Sequence, residues 1–470
     1  MLVAYAIIVA SYGRTLNYFD PAEPTVTAVA YAFSSGQPLY PGLDAAERYV
    51  HVWGPALFLA HATVMAAAGP SIAASKAVGA MAALVGLVLG FAAFRTRADE
   101  AAALIASALC ALVYLGFSNV TFWTRADPLL ILCVALGLFG ATRERALAAA
   151  ICLGVAMGVA INLKATGVFY LLPVLVIAMR RHGARSAVVA VGTAGLVAIA
   201  PFLLGRISFA NYIDYLRLSA RDGIVFQKVR MNLLWAAYLG GPLVLLWWRG
   251  RRAQVSTPFD TPVVATLAAS IGIIALLGAK PGGGPFHLLP FVPLLAFACL
   301  SLWPADGARS VSLWVTVFAA VALVFAVRSQ TVFIRTIGAR HLDRVVQDLR
   351  RFATAEPGRR LAVGFAGTSY ASYARPEIVF RTREYWLDAQ AIQEHRRAGL
   401  ALPAATLRKV EECAAEIWLV PRDGDPFVVP NAYRPNGPPD VFPPEFRETF
   451  LRRYERTGAT EFFDVWRCRR

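Results

Sequence analysis

The chain has 470 residues, 57% of them hydrophobic and 16% charged, with 46 Lys/Arg against 30 Asp/Glu and a formal net charge of +16. A soluble domain is usually about 45–50% apolar and about 25% charged, so a single soluble enzyme, a disordered chain and a nucleic-acid binder built on a basic surface are excluded. The charge is also uneven: residues 1–327 hold 22 Lys/Arg and 12 Asp/Glu, whereas 328–470 hold 24 and 18. That split predicts a polytopic α-helical membrane protein, residues 1–328, followed by one soluble α/β domain, residues 329–470.

A membrane span needs about 20 mainly apolar residues. Apolar runs near 1–18, 72–94, 101–118, 128–142, 146–162, 165–179, 186–204, 232–248, 260–278, 286–303 and 311–327 predict about eleven crossings. Residues 1–18 lack a basic n-region and a small-residue cleavage site, so they read as the first span and not as a secretory leader. Cytoplasmic loops are enriched in Lys/Arg. With the N-terminus inside, the inner loops hold Arg95 and Arg97, Arg143 and Arg145, Arg180, Arg181 and Arg185, then Arg249, Arg251 and Arg252, and last Arg309. The alternation requires the apolar stretch His51–Gly69 to lie at the interface or re-enter, which makes 20–71 a long outer loop with interfacial helices. The expected location is the bacterial cytoplasmic (inner) membrane, with the C-terminal domain outside.

The tail changes character. Helical periodicity runs over His341–Phe352, strand-like runs follow at Arg360–Ala366, Glu377–Phe380, Glu416–Pro421 and Glu461–Arg467, Pro421–Pro444 reads as a loop, and Pro444–Tyr454 returns to helix. Cys110, Cys133, Cys152 and Cys299 fall in apolar runs as plain small residues. Cys413 and Cys468 fall in the tail, where a disulfide is chemically permitted, although sequence alone does not place them together.

Ionisable groups beside membrane segments are expensive and therefore candidates for function. On the topology above, Asp20, Glu23, Asp44, Glu47, Arg125, Asp127, Lys164, Lys280 and His287 all converge on the outer face. Asp20 sits at a helix break forced by Pro21; Asp, Pro and then Glu23 also form a good capping pattern. Arg125 and Asp127 either pair with each other or face a substrate. Lys164 either snorkels to the headgroups or meets a phosphate. Lys280-Pro281-Gly282-Gly283-Gly284-Pro285-Phe286-His287 is a Gly-rich loop carrying a Lys and a His, with spacing wrong for a P-loop. No His-x-x-x-His or Cys-x-x-Cys pair supports a zinc site. A divalent cation held by Asp20 or Asp127 together with a substrate phosphate stays open.

The set Asp20, Gly36-Gln37-Pro38-Leu39-Tyr40-Pro41, Trp53-Gly54-Pro55, Arg125-Ala126-Asp127-Pro128, Leu163-Lys164-Ala165-Thr166-Gly167 and His287-Leu288-Leu289-Pro290, in this order, resembles the C-type superfamily of integral-membrane glycosyltransferases. Within it, the resemblance lies near the protein O-mannosyltransferase and lipid A aminoarabinose transferase branch. The resemblance implies a sugar donor linked to polyprenyl phosphate, used at the outer face, with Asp20 as general base and Asp127 as a second, organising acid. The first loop in these enzymes often carries adjacent acids; here Pro21 separates Asp20 from Glu23. Lys164, Arg125, Lys280, His287 and Tyr40 then stand as candidates for the substrate and its phosphate, and a glycan, a lipid or a protein hydroxyl as the acceptor. The competing reading is a transporter or flippase of a lipid-linked or anionic solute, which expects charges near the bilayer midplane and internal repeats; neither is evident.

Overall fold

The computed structural model describes residues 1–47, 52–252, 259, 261–303, 309–338, 341–367, 370–385, 387–430 and 440–469. The chain divides into two compact units. The first comprises Met1–Gly13, Gly79–Leu203 and Ile224–Thr336; the second comprises Arg14–Val78, Leu204–Gly223 and Ile337–Arg470.

The first unit is all helical. The predicted apolar runs become helices Leu2–Arg14, Ile72–Phe94 (which begins in the second unit), Glu100–Leu115, Ala126–Ala141, Ala146–Leu163, Val168–His182, Ala184–Ile199, Phe226–Arg252, Thr261–Leu277, Val292–Ser301 and Arg309–Gly338. Among the described residues, five helices are long and apolar enough to cross a membrane, and shorter apolar helices accompany them. Val188, Val191, Leu196 and Leu203 are 71, 53, 75 and 79% exposed; a helix that turns Val and Leu outward to this degree suits hydrocarbon and not water. The fold is that of a polytopic helical membrane protein.

Helices in lipid gain little from hydrophobic burial against one another, so close packing and interhelical hydrogen bonds hold them. Gly154 and Gly158, one turn apart, let Ala146–Leu163 approach Ala184–Ile199. A Cβ at Gly154 would sit 2.6 Å from the Ala190 carbonyl oxygen, and one at Gly158 would sit 2.6 Å from Cβ of Val197. Asn232 Nδ2 donates to the Ala275 carbonyl at 2.7 Å, and Gln330 Nε2 to that of Leu115 at 2.7 Å.

The second unit contains helices Glu23–Ser34, Pro55–Ala68 and Phe209–Ala220 and the tail from Ile337, because helix Arg309–Gly338 carries the first unit past the expected boundary at 328. Helix Pro55–Ala68 falls within the stretch expected at the interface, whose first residue, His51, lies outside the described residues. The tail carries a sheet of β1 (Leu361–Val363), β2 (Ile417–Pro421), β3 (Tyr454–Ala459) and β4 (Phe463–Cys468), in the order β1-β2-β4-β3. β1 and β2 run parallel, and the other neighbours are antiparallel. Alternate residues of a strand point to opposite faces. Leu361, Val363, Ile417 and Leu419 pack with Val345, Val346 and Leu349 of helix His341–Ala355, while Ala362, Trp418 and Val420 pack with Phe442, Phe446 and Phe450. Both faces are covered, so the tail has a core of its own.

Two tail expectations change, and one question left open is answered. Glu377–Phe380 is not a strand: Pro376, at the first turn, opens a helix Pro376–Thr382. β3 is a strand that the hydrophobic pattern does not reveal, because five of its six residues are exposed, as suits an edge strand. Cys413 and Cys468 form a disulfide, with their Cα atoms 5.9 Å apart. Of the loop expected at Pro421–Pro444, residues 431–439 lie outside the described residues, and between the end of β2 and Pro443 the described remainder is turn and irregular backbone with an isolated bridge between Pro430 and Asp440.

Candidate functional site

Four of the expected residues meet in the first unit. Asp127, in the first turn of helix Ala126–Ala141, is fully buried. Lys164, which follows helix Ala146–Leu163 in extended backbone, reaches Asp127 Oδ1 with its Nζ at 2.8 Å. Arg125 Nε lies 4.0 Å from Asp127 Oδ2, and Trp123 Nε1 donates to that same oxygen at 3.1 Å. His287 Nδ1 lies 3.8 Å from Asp127 Oδ1 and 3.3 Å from Lys164 Nζ. An ammonium has no lone pair to offer, so Nδ1 accepts from Lys164 and the imidazole carries its proton on Nε2.

Local structure explains the convergence. A Cβ at Gly79 would overlap the Trp123 carbonyl oxygen, so the loop that carries Trp123 and Arg125 lies directly on the helix backbone there. The Arg125 guanidinium stacks over the Trp123 ring, 4.1 Å from its centroid. Tyr170 OH donates to the His287 carbonyl at 2.8 Å and fixes that residue's backbone. Lys280 lies in the same unit, in the Gly-rich turn. Its carbonyl, with that of Gly283, receives the Nζ of Lys228 at 3.2 and 2.9 Å. A basic residue from a distant helix therefore gathers this turn, which sequence spacing does not reveal.

Asp20, Glu23 and Tyr40 belong to the second unit. Asp20 is half-buried and its Oδ1 accepts from the Ala22 amide at 2.9 Å. The capping pattern does not form as expected: the helix begins at Glu23 with Ala22 as N-cap, and no side chain caps it. Asp20 instead closes a turn of its own before the helix, since Pro21 cannot donate an amide. Glu23 is fully buried, and its Oε1 accepts from the Phe19 amide at 3.4 Å. Tyr40 is buried against Tyr212, with ring centroids 5.1 Å apart, and its hydroxyl donates to the Trp53 carbonyl at 2.9 Å.

Lys76 is absent from the expected set although it is the lone ionisable residue in the run 72–94. It is completely buried and donates to the carbonyls of Thr15 at 3.0 Å and Asn17 at 2.7 Å, and to the Thr15 hydroxyl. This ammonium holds the segment that leads into Asp20. An isolated Lys in an apolar run is a sufficient signal to find it.

Arg375 and Asp388, unlike Lys76, are hidden from sequence. Arg375 Nη2 meets Asp388 Oδ2 at 2.8 Å, and both side chains are buried. The same Nη2 donates to the Pro21 carbonyl at 3.1 Å, and Tyr385 OH donates to Asp388 at 2.7 Å. Burial pulls the Arg375 guanidinium down, but Tyr385 and then the Asp388 carboxylate together hold it above the ordinary range. Burial pushes the Tyr385 phenol up, so it stays protonated and donates.

No family model and no curated protein matches the sequence. Among solved structures the chain is similar to ArnT from Cupriavidus metallidurans in the apo state, at 13% identity and a TM-score of 0.56, over 99% of this chain and 96% of that one. The same protein bound to undecaprenyl phosphate aligns at 17% identity and a TM-score of 0.49, over 88% and 79%. The Archaeoglobus fulgidus oligosaccharyltransferase in the apo form aligns at 12% and 0.44, over 82% and 63%. The match to ArnT over nearly the whole of both chains shows that this chain has that protein's fold.

Proposed function

We propose that the protein transfers a sugar from a polyprenyl-phosphate-linked donor to a hydroxyl acceptor at the outer face of the bacterial inner membrane. In this reading residues 1–328 form a transmembrane domain of about eleven crossings with the N-terminus inside, and 329–470 form the extracytoplasmic domain. The single observation that carries it is the buried carboxylate of Asp127 shared by two cations, Lys164 and Arg125. Such an arrangement suits an anion that arrives with a lipid. The fold shared with ArnT, which has been solved with undecaprenyl phosphate, supports the same donor class.

The chemistry follows from the donor. As the phosphate departs, positive charge grows at the anomeric carbon and negative charge on the leaving oxygen. Lys164 and Arg125, with Lys280 nearby in sequence to His287, stabilise that oxygen, as preorganised cations do elsewhere. Asp127 orients the cations, with Trp123 holding its second oxygen. Asp20 takes the proton of the acceptor hydroxyl as general base, worth typically about 10²–10⁴-fold, and Glu23 sets its turn. Tyr40 supports the outer loop. Attack from the face opposite the phosphate inverts the anomeric centre. Both oxygens of Asp127 accept hydrogen bonds, from Lys164 and Trp123, and among the described residues no three His, Cys, Asp or Glu side chains gather to hold a metal.

Asp20→Asn in purified, membrane-reconstituted protein tests this. Transfer from a polyprenyl-phosphate sugar, followed by mass spectrometry, falls by at least about 10² while donor binding persists. Turnover at the wild-type rate, or product with retained anomeric configuration, would overturn the mechanism.

A further inference from the structure

The first unit holds a cleft of about 510 Å³, within the roughly 300–1,000 Å³ usual for ligand sites. One wall is helix Glu100–Leu115, which turns Ala102, Ile105, Ala106, Leu109, Cys110 and Val113 toward it. Steps of three and four residues place these side chains on one face, so the cleft follows that face for about 17 Å. Helices Phe226–Arg252, Val292–Ser301 and Arg309–Gly338 supply the other walls, all apolar. Ile105 is 60% exposed, whereas Cys110 and Val113 are buried. The cleft is therefore open near the start of the helix and sealed deeper in.

The open end carries the charge. Arg97 and Asp99 are the charged residues of the lining. Asp99 is engaged as the helix cap, its Oδ1 accepting from the Ala102 amide at 2.8 Å. Among the described residues no carboxylate pairs with Arg97, whose guanidinium lies 5.6 Å from the centroid of the Phe297 ring. Desolvation by the protein around it and then the like charge of Arg181 hold this guanidinium below its ordinary range. Arg181 is fixed in turn by the carbonyls of Ala141 and Thr142, at 3.4 and 2.9 Å. Two neighbouring cations beside a single engaged acid suit an incoming anion. Trp303, just past helix Val292–Ser301, lines the cleft and is half-exposed, as tryptophans at headgroup level are.

This mouth lies far from Asp127. Gly79, early in helix Ile72–Phe94, touches the loop of Trp123 and Arg125. Arg97 follows the other end of that helix, about 22 Å along its axis. The apolar length of the cleft also matches one leaflet, about half of the ~30 Å hydrocarbon thickness. We propose that the cleft binds one anionic glycerophospholipid from the leaflet opposite the Asp127 site, with an acyl chain along helix Glu100–Leu115 and the phosphate at Arg97. Basic pockets between membrane helices hold anionic headgroups in this way. A polyprenyl-phosphate donor suits the cleft poorly, because its phosphate would sit at the far end of the unit from Lys164 and Arg125. The inference rests on the membrane fold and is independent of the transfer reaction.

The test is native mass spectrometry of the full chain in detergent, titrated with phosphatidylglycerol, phosphatidylethanolamine or undecaprenyl phosphate. One phosphatidylglycerol binds about fivefold more tightly than phosphatidylethanolamine, the increment of one cation beside a headgroup. Arg97→Gln removes that preference, and Arg95→Gln, on the same loop, keeps it. Ala106→Trp fills the cleft and weakens phosphatidylglycerol by at least about tenfold, with a melting temperature near wild type. Should Ala106→Trp fail to fold, the contrast between Arg97→Gln and Arg95→Gln decides alone. Equal binding of the two phospholipids, equal losses from both arginine variants, or wild-type binding by folded Ala106→Trp would overturn the site. Displacement of phosphatidylglycerol by undecaprenyl phosphate would overturn it as well, by making the cleft a seat for the donor's tail.

Discussion

Asp127 and Asp388 are both buried carboxylates gripped by a cation, yet their surroundings differ. Asp388 is matched to Arg375 and receives Tyr385 and a helix amide, so its charge and lone pairs are answered locally. Asp127 lies between two cations, Lys164 at 2.8 Å and Arg125 at 4.0 Å, with an imidazole beside them. Burying a charged pair costs desolvation that the pair's own attraction barely repays. A balanced network is therefore a means of fixing one conformation, whereas two cations on one carboxylate make sense where a further anion arrives. The first fixes the fold around Pro21, and in the proposed reaction the second receives the donor's phosphate.

The comparison is easiest to break at its balanced end. Arg375→Met strands Asp388 without its cation and is expected to cost about 3–5 kcal/mol, read as a lowered unfolding temperature of the tail by Trp418 and Trp466 fluorescence. Lys164→Met carries the opposite signature: transfer falls by about 10²–10³-fold, on the order of 3–4 kcal/mol of barrier, with little change in melting because Trp123 and Arg125 still hold Asp127. If Arg375→Met cost mainly turnover and Lys164→Met mainly stability, the two roles would be exchanged.

A smaller effect sharpens the picture. Glu394, on the helix capped by Asp388, has its carboxyl pushed up to about 8, first by burial and then by Asp222, with Arg397 pulling it down and Asp388 adding to the rise. A carboxyl that binds its proton more tightly when folded loses stability as pH rises from the ordinary carboxylate range toward 8. The wild-type melting temperature therefore falls across that window. Glu394→Gln flattens the slope and raises stability at pH 8 by about 4 kcal/mol; an unchanged pH profile would show that Glu394 titrates normally.

Much of the first unit was legible because lipid imposes a simple code. Apolar runs become helices, and the rare charges among them converge, as Arg125, Asp127, Lys164 and His287 do. The second unit hides its logic in long-range pairing. Arg375 and Asp388 sit in a stretch where charge looks like ordinary surface, and only the fold turns both inward and brings Pro21, some 350 residues earlier in the chain, to the same guanidinium. β3 escaped for the converse reason: an edge strand needs no hydrophobic alternation. Lys76 was readable and overlooked; its carbonyl partners were not readable.

The Cys413–Cys468 cross-link makes the tail's maturation a matter of electron acceptors as well as of folding. It closes a separation of 55 residues, from just before β2 to the end of β4, which removes roughly 4 kcal/mol of loop entropy from the unfolded chain. Synthesis under conditions that keep thiols reduced forgoes that gain. Recombinant yield of the assembled tail should then follow the supply of oxidant during production, independently of how well the helices insert.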